Sequence, residues 1–164
     1  MKVSIIMGSL SDSPIADKVV SKLMEFGIDY EVKVISAHRA LKSLEKYVKE
    51  SEDESEVYIG IAGKAAHLSG VIAALTTRPV IGIPAKSSHL GGLEALLSTV
   101  EMPSGVPVAT VAIGGGENAA ILATEILAIK YDSLREKLKD MRIKMKETID
   151  NSEYEYKANK WVEL

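Results

Sequence analysis

No cysteine occurs among the 164 residues, which excludes disulfides, thiolate nucleophiles and Cys-ligated zinc or iron–sulfur centres. Large aromatics are nearly missing, with one Phe and one Trp, so a core has to be assembled from Ile, Val, Leu and Ala. Such residues suit close packing of helices on a sheet. Neither sign of charge dominates: 20 Lys and Arg stand against 23 Asp and Glu, a net charge of −3. No basic block interleaved with aromatics is present, which argues against a nucleic-acid partner. No apolar run approaches the roughly 18 residues of a membrane-spanning helix, so no membrane partner is expected. The first residues lack the basic-then-apolar layout of a signal peptide, and the chain reads as soluble and cytoplasmic.

The length fits a single domain, 1–164, on the usual scale of roughly 100–200 residues per domain. Apolar runs recur at 2–7 (KVSIIM), 31–36 (EVKVIS), 57–62 (VYIGIA), 79–84 (PVIGIP) and 107–113 (PVATVAI). Most are continuous, as expected of strands buried on both faces of a parallel sheet. Helical patterns fall between them. Ile15, Val19, Leu23 and Phe26 recur at helical spacing, with Ser13 read as N-cap, Pro14 at the first helical position and Gly27 closing the helix. Leu41, Leu44 and Val48 mark a second helix, and the acidic run Glu52–Glu56 reads as a solvated turn. Shorter helices are predicted at 66–75 and 90–98, and a nearly all-apolar one at 117–129. Strands alternating with helices predict an α/β fold, a three-layer α/β/α sandwich on a parallel sheet.

Beyond residue 130 the rhythm changes. Leu134, Leu138, Met141, Met145 and Ile149 form an apolar stripe at spacings of four, three, four and four on an otherwise charged helix. The stripe could cover the chain's own sheet or dock on a neighbouring subunit.

Loops leaving the C-terminal ends of parallel strands share one edge, where ligands bind. The first three such loops carry Gly8-Ser9-Leu10-Ser11-Asp12, Ser36-Ala37-His38-Arg39 and Ala62-Gly63-Lys64-Ala65-Ala66-His67. The first joins small residues to a helix start, where free N–H groups favour an anion, without matching a dinucleotide or Walker A motif. Arg39 adds a fork suited to a phosphate. Asp12 would repel a phosphate and better accepts hydrogen bonds from sugar hydroxyls, so a phosphorylated ribose satisfies both. His38 and His67 on the same rim point to acid–base chemistry, since an unperturbed imidazole titrates near pH 6.5. They lack the spacing or third ligand of a metal site. Lys64 reads either as a solvated lysine or as a partner for a ligand carboxylate. His89 reads as a loop residue, and Gly114-Gly115-Gly116 as a turn that could also line the pocket.

The segments MGSLSD, SAHR, AGKAAHLSG, PVIGIPAKSSHLGGLEALLSTVEMPSGVPVATVAIG and NAAILATEILA, in that order and spacing, resemble the N5-carboxyaminoimidazole ribonucleotide mutase family. In older usage this is the catalytic subunit of phosphoribosylaminoimidazole carboxylase. The resemblance spans about residues 3 to 150. It implies a flavodoxin-like sandwich assembled as a homo-octamer, with residues 1–130 as core and the helix and tail of 131–164 packing on a neighbouring subunit. It also implies transfer of a carboxylate from N5 of the ribonucleotide to C4 of its imidazole by decarboxylation and recarboxylation, with no cofactor or metal. Residue by residue, Gly8, Ser9 and Ser11 match the phosphate loop and Asp12 the ribose-binding acid. Ser36, Ala37 and Arg39 match a second substrate-binding segment and His38 the general acid/base. Gly63, Ala65, Ala66, His67 and Leu68 match the loop that walls in carbon dioxide and the imidazole.

Departures from the mutase pattern lie in two places. Lys64 and Ser69 stand where it usually has Gly and Pro, and Ala40-Leu41 where it has Thr-Pro. The related class that carboxylates aminoimidazole ribonucleotide directly carries a basic residue and Leu-Ser-Gly at the corresponding positions, yet has Lys for Arg39 and no counterpart of His67. The mutase is therefore the first expectation and direct carboxylation, a lyase reaction, the alternative. A non-catalytic nucleotide-binding module is the third, and His38, Arg39 and His67 together weigh against it.

Overall fold

Val3, Ser4, Ile5, Ile6 and Met7 are all buried, which a strand achieves only in the interior of a sheet covered on both sides. A computed structural model of the chain describes residues 1–88, 90–152, 154–157 and 159–163, and puts that segment in β1 (Lys2–Met7). β1 lies between β2 (Asp29–Val34) and β3 (Val57–Ala62), followed by β4 (Val80–Pro84) and β5 (Ala109–Thr110). The order is β2-β1-β3-β4-β5, all parallel. This is the flavodoxin-like arrangement, with its topological switch between β1 and β3.

The helices are α1 (Ser13–Phe26), α2 (Leu41–Ser51), α3 (Leu68–Leu75), α4 (Leu93–Val100), α5 (Gly116–Leu127) and α6 (Asp132–Asp150). Val3, Ile5, Ile59, Ile61, Ile81 and Ile83 face one side and pack with Val19 and Leu23 of α1, Ala120 and Ala123 of α5 and Leu134 of α6. Ile6, Tyr58 and Val80 face the other, against Leu44 and Val48 of α2 and Leu68 and Ile72 of α3. On that second face Gly60 and Gly82 pair side by side. A Cβ on Gly60 would meet Ser69 Oγ at 2.5 Å, and one on Gly82 would strike Thr99 Cγ2. Their bare backbones let α3 and α4 approach, and buried Ser69 donates its hydroxyl to Gly60 O at 3.2 Å. The Pro-to-Ser departure at position 69 is thus part of helix-on-sheet packing.

Gly27 closes α1 as expected, at φ +71° in the left-handed region that glycine enters freely. Lys137 Nζ of α6 adds a hydrogen bond to Phe26 O at 2.7 Å there. The start of α1 differs from expectation: Ser13 is already helical and Asp12 holds the cap position without a side-chain bond. Ser9 is the residue that caps, its hydroxyl accepting from Ser11 N at the head of a 3-10 turn over Leu10–Asp12.

β2 begins and ends two residues earlier than the apolar run suggested, and as an edge strand none of its residues is buried. β5 covers two residues of the seven expected. Pro107 has no N–H to donate, and later contacts with β4 are irregular, from Val111 N to Gly82 O and Gly114 N to Pro84 O. The expected helices 66–75 and 90–98 start later, at Leu68 and Leu93. The acidic run after α2 is more than a solvated turn: Ser55 is buried, Glu52 accepts from Thr76 Oγ1 at 2.7 Å, and Glu56 accepts from Lys130 Nζ at 2.6 Å. The tail, which the resemblance implied would pack with the helix on a neighbouring subunit, forms an antiparallel hairpin of β6 (Tyr154–Lys157) and β7 (Lys160–Glu163). Asn159 turns it at φ +61°, a conformation Asn tolerates.

The stripe on α6 divides. Leu134 is fully buried in the chain's own core, and Leu138 and Met141 pack partly against it. Met145 and Ile149 are 55% and 72% exposed. No described helix is long and apolar enough to cross a membrane.

Candidate active site

A cavity of about 730 Å³ opens at the C-terminal edge of the sheet, over the β1/β3 switch point. Four loops wall it, those following β1, β2, β3 and β4. Gly8, Ser9, Ser11, Asp12, Ser36, Ala37, His38, Arg39, Gly63, Lys64, Ala65 and Leu68 all line it.

The loop after β1 is held by its own polar groups. Gly8 N donates to Ile61 O at 3.1 Å, Ser11 Oγ to Ser9 Oγ at 2.9 Å, Asp12 N to Ser9 O at 3.1 Å and Ser13 N to Leu10 O. Pro14 has no N–H at all. The helix start therefore offers an anion fewer free amides than expected, and the hydroxyls of Ser9 and Ser11 with the Arg39 guanidinium add side-chain donors on this side of the cavity. Burial pushes the Asp12 carboxyl above its ordinary range, against the lowering effect of bonds from Ser11 and Ser9.

Arg39 ties the first two loops together. A turn at 36–40 (Arg39 N to Ser36 O at 3.2 Å, Ala40 N to Ser36 O at 2.8 Å) sets its backbone. Its Nε donates to Ser36 Oγ at 3.2 Å and its Nη2 to Gly8 O at 3.2 Å. The guanidinium lies across the small residues of the β1 loop, leaving further N–H groups for a ligand.

His38 and His67 come from separate elements and meet. His38 Nε2 is 3.1 Å from His67 Nδ1, and the rings stand edge to face with an interplanar angle of 89° and centroids 5.2 Å apart. His67 occupies the cap position of α3 with no side-chain bond to that helix, so its ring is available to His38. His38 lines the cavity and His67 reaches it through His38. Ala66 is buried behind the wall rather than lining it. Among the described residues no group of three or more His, Asp or Glu is placed to hold a metal ion.

Lys64 sits on the rim at φ +57°, left-handed backbone that disfavours a residue with a Cβ. The glycines 114–116 do not line the cavity; they form a tight turn in which Gly115 N donates to Ala112 O at 2.9 Å. His89 lies outside the described residues. The residues missed by sequence reasoning are Lys86, Ser87 and Ser88 on the fourth loop, which also line the cavity. The signal was available: a Lys-Ser-Ser cluster directly after an apolar strand, at the same edge as the other three loops.

A family model described as AIR carboxylase matches residues 2–148. The chain is 54% identical over 155 residues to the N5-carboxyaminoimidazole ribonucleotide mutase of Methanocaldococcus jannaschii, covering 94% of this chain and 97% of that one. It is 50% identical over 149 residues to the protein of the same name from Thermotoga maritima, covering 90% and 87%. Its structure is similar to the crystal structure of Treponema denticola PurE, with a TM-score of 0.84 at 33% identity, covering 92% and 95% of the two chains.

Proposed function

Because the chain belongs to the AIR carboxylase family, we propose that it catalyses the N5-carboxyaminoimidazole ribonucleotide mutase reaction of purine biosynthesis. The observation that carries this reading is the His38–His67 pair, 3.1 Å apart beside a guanidinium that spans Gly8 and Ser36. In this reading Arg39 grips the phosphate with the hydroxyls of Ser9 and Ser11 over Gly8, and Asp12 accepts from the ribose. Ser36 and Ala37 flank the ligand, and Gly63, Ala65 and Leu68 form the wall behind the imidazole, with Ala66 packed behind that wall.

His38 is then the proton carrier. As the carbamate N–C bond breaks, its electrons stay on N5, and His38 gives N5 a proton; carbon dioxide and aminoimidazole ribonucleotide result. C4 next attacks the trapped carbon dioxide, and His38 takes the proton that C4 releases. The proton lent at N5 is recovered at C4, so the cycle balances with one imidazole and no consumed reagent. Confinement of carbon dioxide supplies the proximity that a dilute dissolved gas lacks. His67 orients His38 through the hydrogen bond between them.

Direct carboxylation, the alternative raised by Lys64 and Ser69, loses one of its two supports, because Ser69 serves packing against Gly60. The relatives described above also carry the mutase name. We extend the reading to a cytoplasmic homo-octamer in which the outer half of α6 docks on a neighbour. The outward Met145 and Ile149 of α6 support this, as do the outward Leu93, Leu97 and Val100 of α4.

The test is to supply the purified protein with N5-carboxyaminoimidazole ribonucleotide, or with aminoimidazole ribonucleotide plus bicarbonate, and to follow carboxyaminoimidazole ribonucleotide. Efficient turnover of the first substrate is expected. Efficient turnover of the second alone sinks the mutase reading.

A further inference from the structure

The cavity's charges are arranged in two groups. Arg39, from the loop after β2, lies at one side with its guanidinium on Gly8 O. Lys64 and Lys86, from the loops after β3 and β4, lie at the other with Ser87 and Ser88. Those latter loops leave the sheet in contact: Ala85 N donates to Ala62 O at 2.8 Å, and a Cβ on Gly63 would touch Ala85 Cβ at 3.5 Å. β2 and β4 are three strand spacings apart in the order β2-β1-β3-β4, about 14 Å between strand axes. That is the scale of an extended mononucleotide. Asp12, from the β1 loop, is the lone carboxylate among the described residues lining the cavity. The β3–β4 side is therefore cationic with no anion of its own in the wall.

A ligand bearing one anion would leave that second group uncompensated. Lys64 is moreover held in left-handed backbone at the rim, and backbone strain of this kind gathers at ligand clamps. We propose that Lys86, with Lys64 beside it, forms a carboxylate subsite that distinguishes the carboxylated nucleotide from the decarboxylated one. This rests on the nucleotide reading above. In the reaction sequence the subsite holds N5-carboxyaminoimidazole ribonucleotide and the product by their carboxylates. It has no such hold on aminoimidazole ribonucleotide, while Arg39 retains all three by the phosphate. Lys86 is thus a specificity residue and not a proton carrier.

The experiment is equilibrium binding of carboxyaminoimidazole ribonucleotide and of aminoimidazole ribonucleotide to the full-length protein and to Lys86→Gln, Lys86→Arg and Arg39→Gln. Lys86 is exposed, so its replacement leaves the fold intact, which thermal melting verifies. Lys86→Gln is expected to weaken the carboxylated nucleotide about tenfold, the loss of one charge-assisted bond, while changing the decarboxylated one by less than about twofold. Lys86→Arg keeps most of the discrimination, and Arg39→Gln weakens both nucleotides alike. An unchanged ratio of the two affinities in Lys86→Gln overturns the proposal alone. Failure of the unaltered protein to bind either nucleotide overturns the nucleotide reading and the subsite with it.

Discussion

His38 Nε2 and His67 Nδ1 lie 3.1 Å apart, joining the loop after β2 to the residue that caps α3, across the end of β1. Such a bond needs one nitrogen to donate and the other to accept. With its Nε2 engaged by His67, His38 has Nδ1 left for the ligand, and the direction of the bond between the rings sets whether that Nδ1 carries a hydrogen. Replacing His38 by Asn should lower kcat by roughly 10²–10⁴-fold, the usual worth of a positioned proton carrier, with nucleotide binding largely kept. His67→Asn, which still offers a hydrogen-bonding amide, should cost less kcat than His67→Leu. Single-turnover rates beside equilibrium binding check this. A loss of affinity matching the loss of rate for His38→Asn would make that residue a structural one.

Lys64 stands at φ +57°, where a Cβ costs roughly 1–2 kcal/mol. Glycine removes that strain while adding freedom to the unfolded chain, a penalty of about 0.5–1 kcal/mol. Lys64→Gly should therefore raise stability by up to about 1 kcal/mol in urea unfolding. In the mutase assay its effect should be mild. Near-complete loss of turnover would instead make the Lys64 ammonium essential and revive direct carboxylation.

Ser4 is buried in β1 and its hydroxyl meets Ser55 Oγ at 2.6 Å and Tyr47 Oη at 2.9 Å. Tyr47 donates on to Glu31 at 3.3 Å. Glu31 also takes Lys33 Nζ at 2.7 Å and Lys2 Nζ at 3.0 Å, and these bonds hold its carboxyl at about 2 instead of 4.5. A carboxyl held below its unfolded value stabilises the fold above that value and loses the contribution as pH falls. The window runs from about 4.5 down to about 2. Since the ion pairs are partly solvated, the contribution is less than about 1 kcal/mol. Comparing urea midpoints of the unaltered protein and Glu31→Gln should show a gap at pH 7 that narrows by pH 3. A gap that widens with acid contradicts the sign.

The two halves of the α6 stripe should respond differently. Leu134→Ala opens a hole in the core and should cost about 2–5 kcal/mol in unfolding. Ile149→Ser should leave the protomer's stability nearly unchanged, because the side chain is 72% exposed, while lowering the oligomeric state seen by sedimentation. An Ile149→Ser protein with unaltered assembly would remove the outer half of α6 from the interface.

What the chain's local chemistry determined is what depends on residue type and period alone. Continuous apolar runs marked strands buried on both faces, as Val3–Met7 turned out to be. Gly27 marked a left-handed helix end, and the loops after three strands marked one ligand edge. Tertiary structure decided what depends on neighbours. A helical stripe records which face is apolar and not what covers it, so only packing separates buried Leu134 from exposed Ile149. An apolar run likewise does not reveal that β2 is an edge strand. Residue type does not encode φ, and the strain at Lys64 was invisible until the β3–α3 loop was closed. The meeting of His38 with His67 joins residues 29 apart in sequence, and the fourth loop's Lys86 joins the other three loops from a separate crossover. Such proximity arises only because parallel strands gather their C-terminal loops at one edge, in an order set by the crossovers.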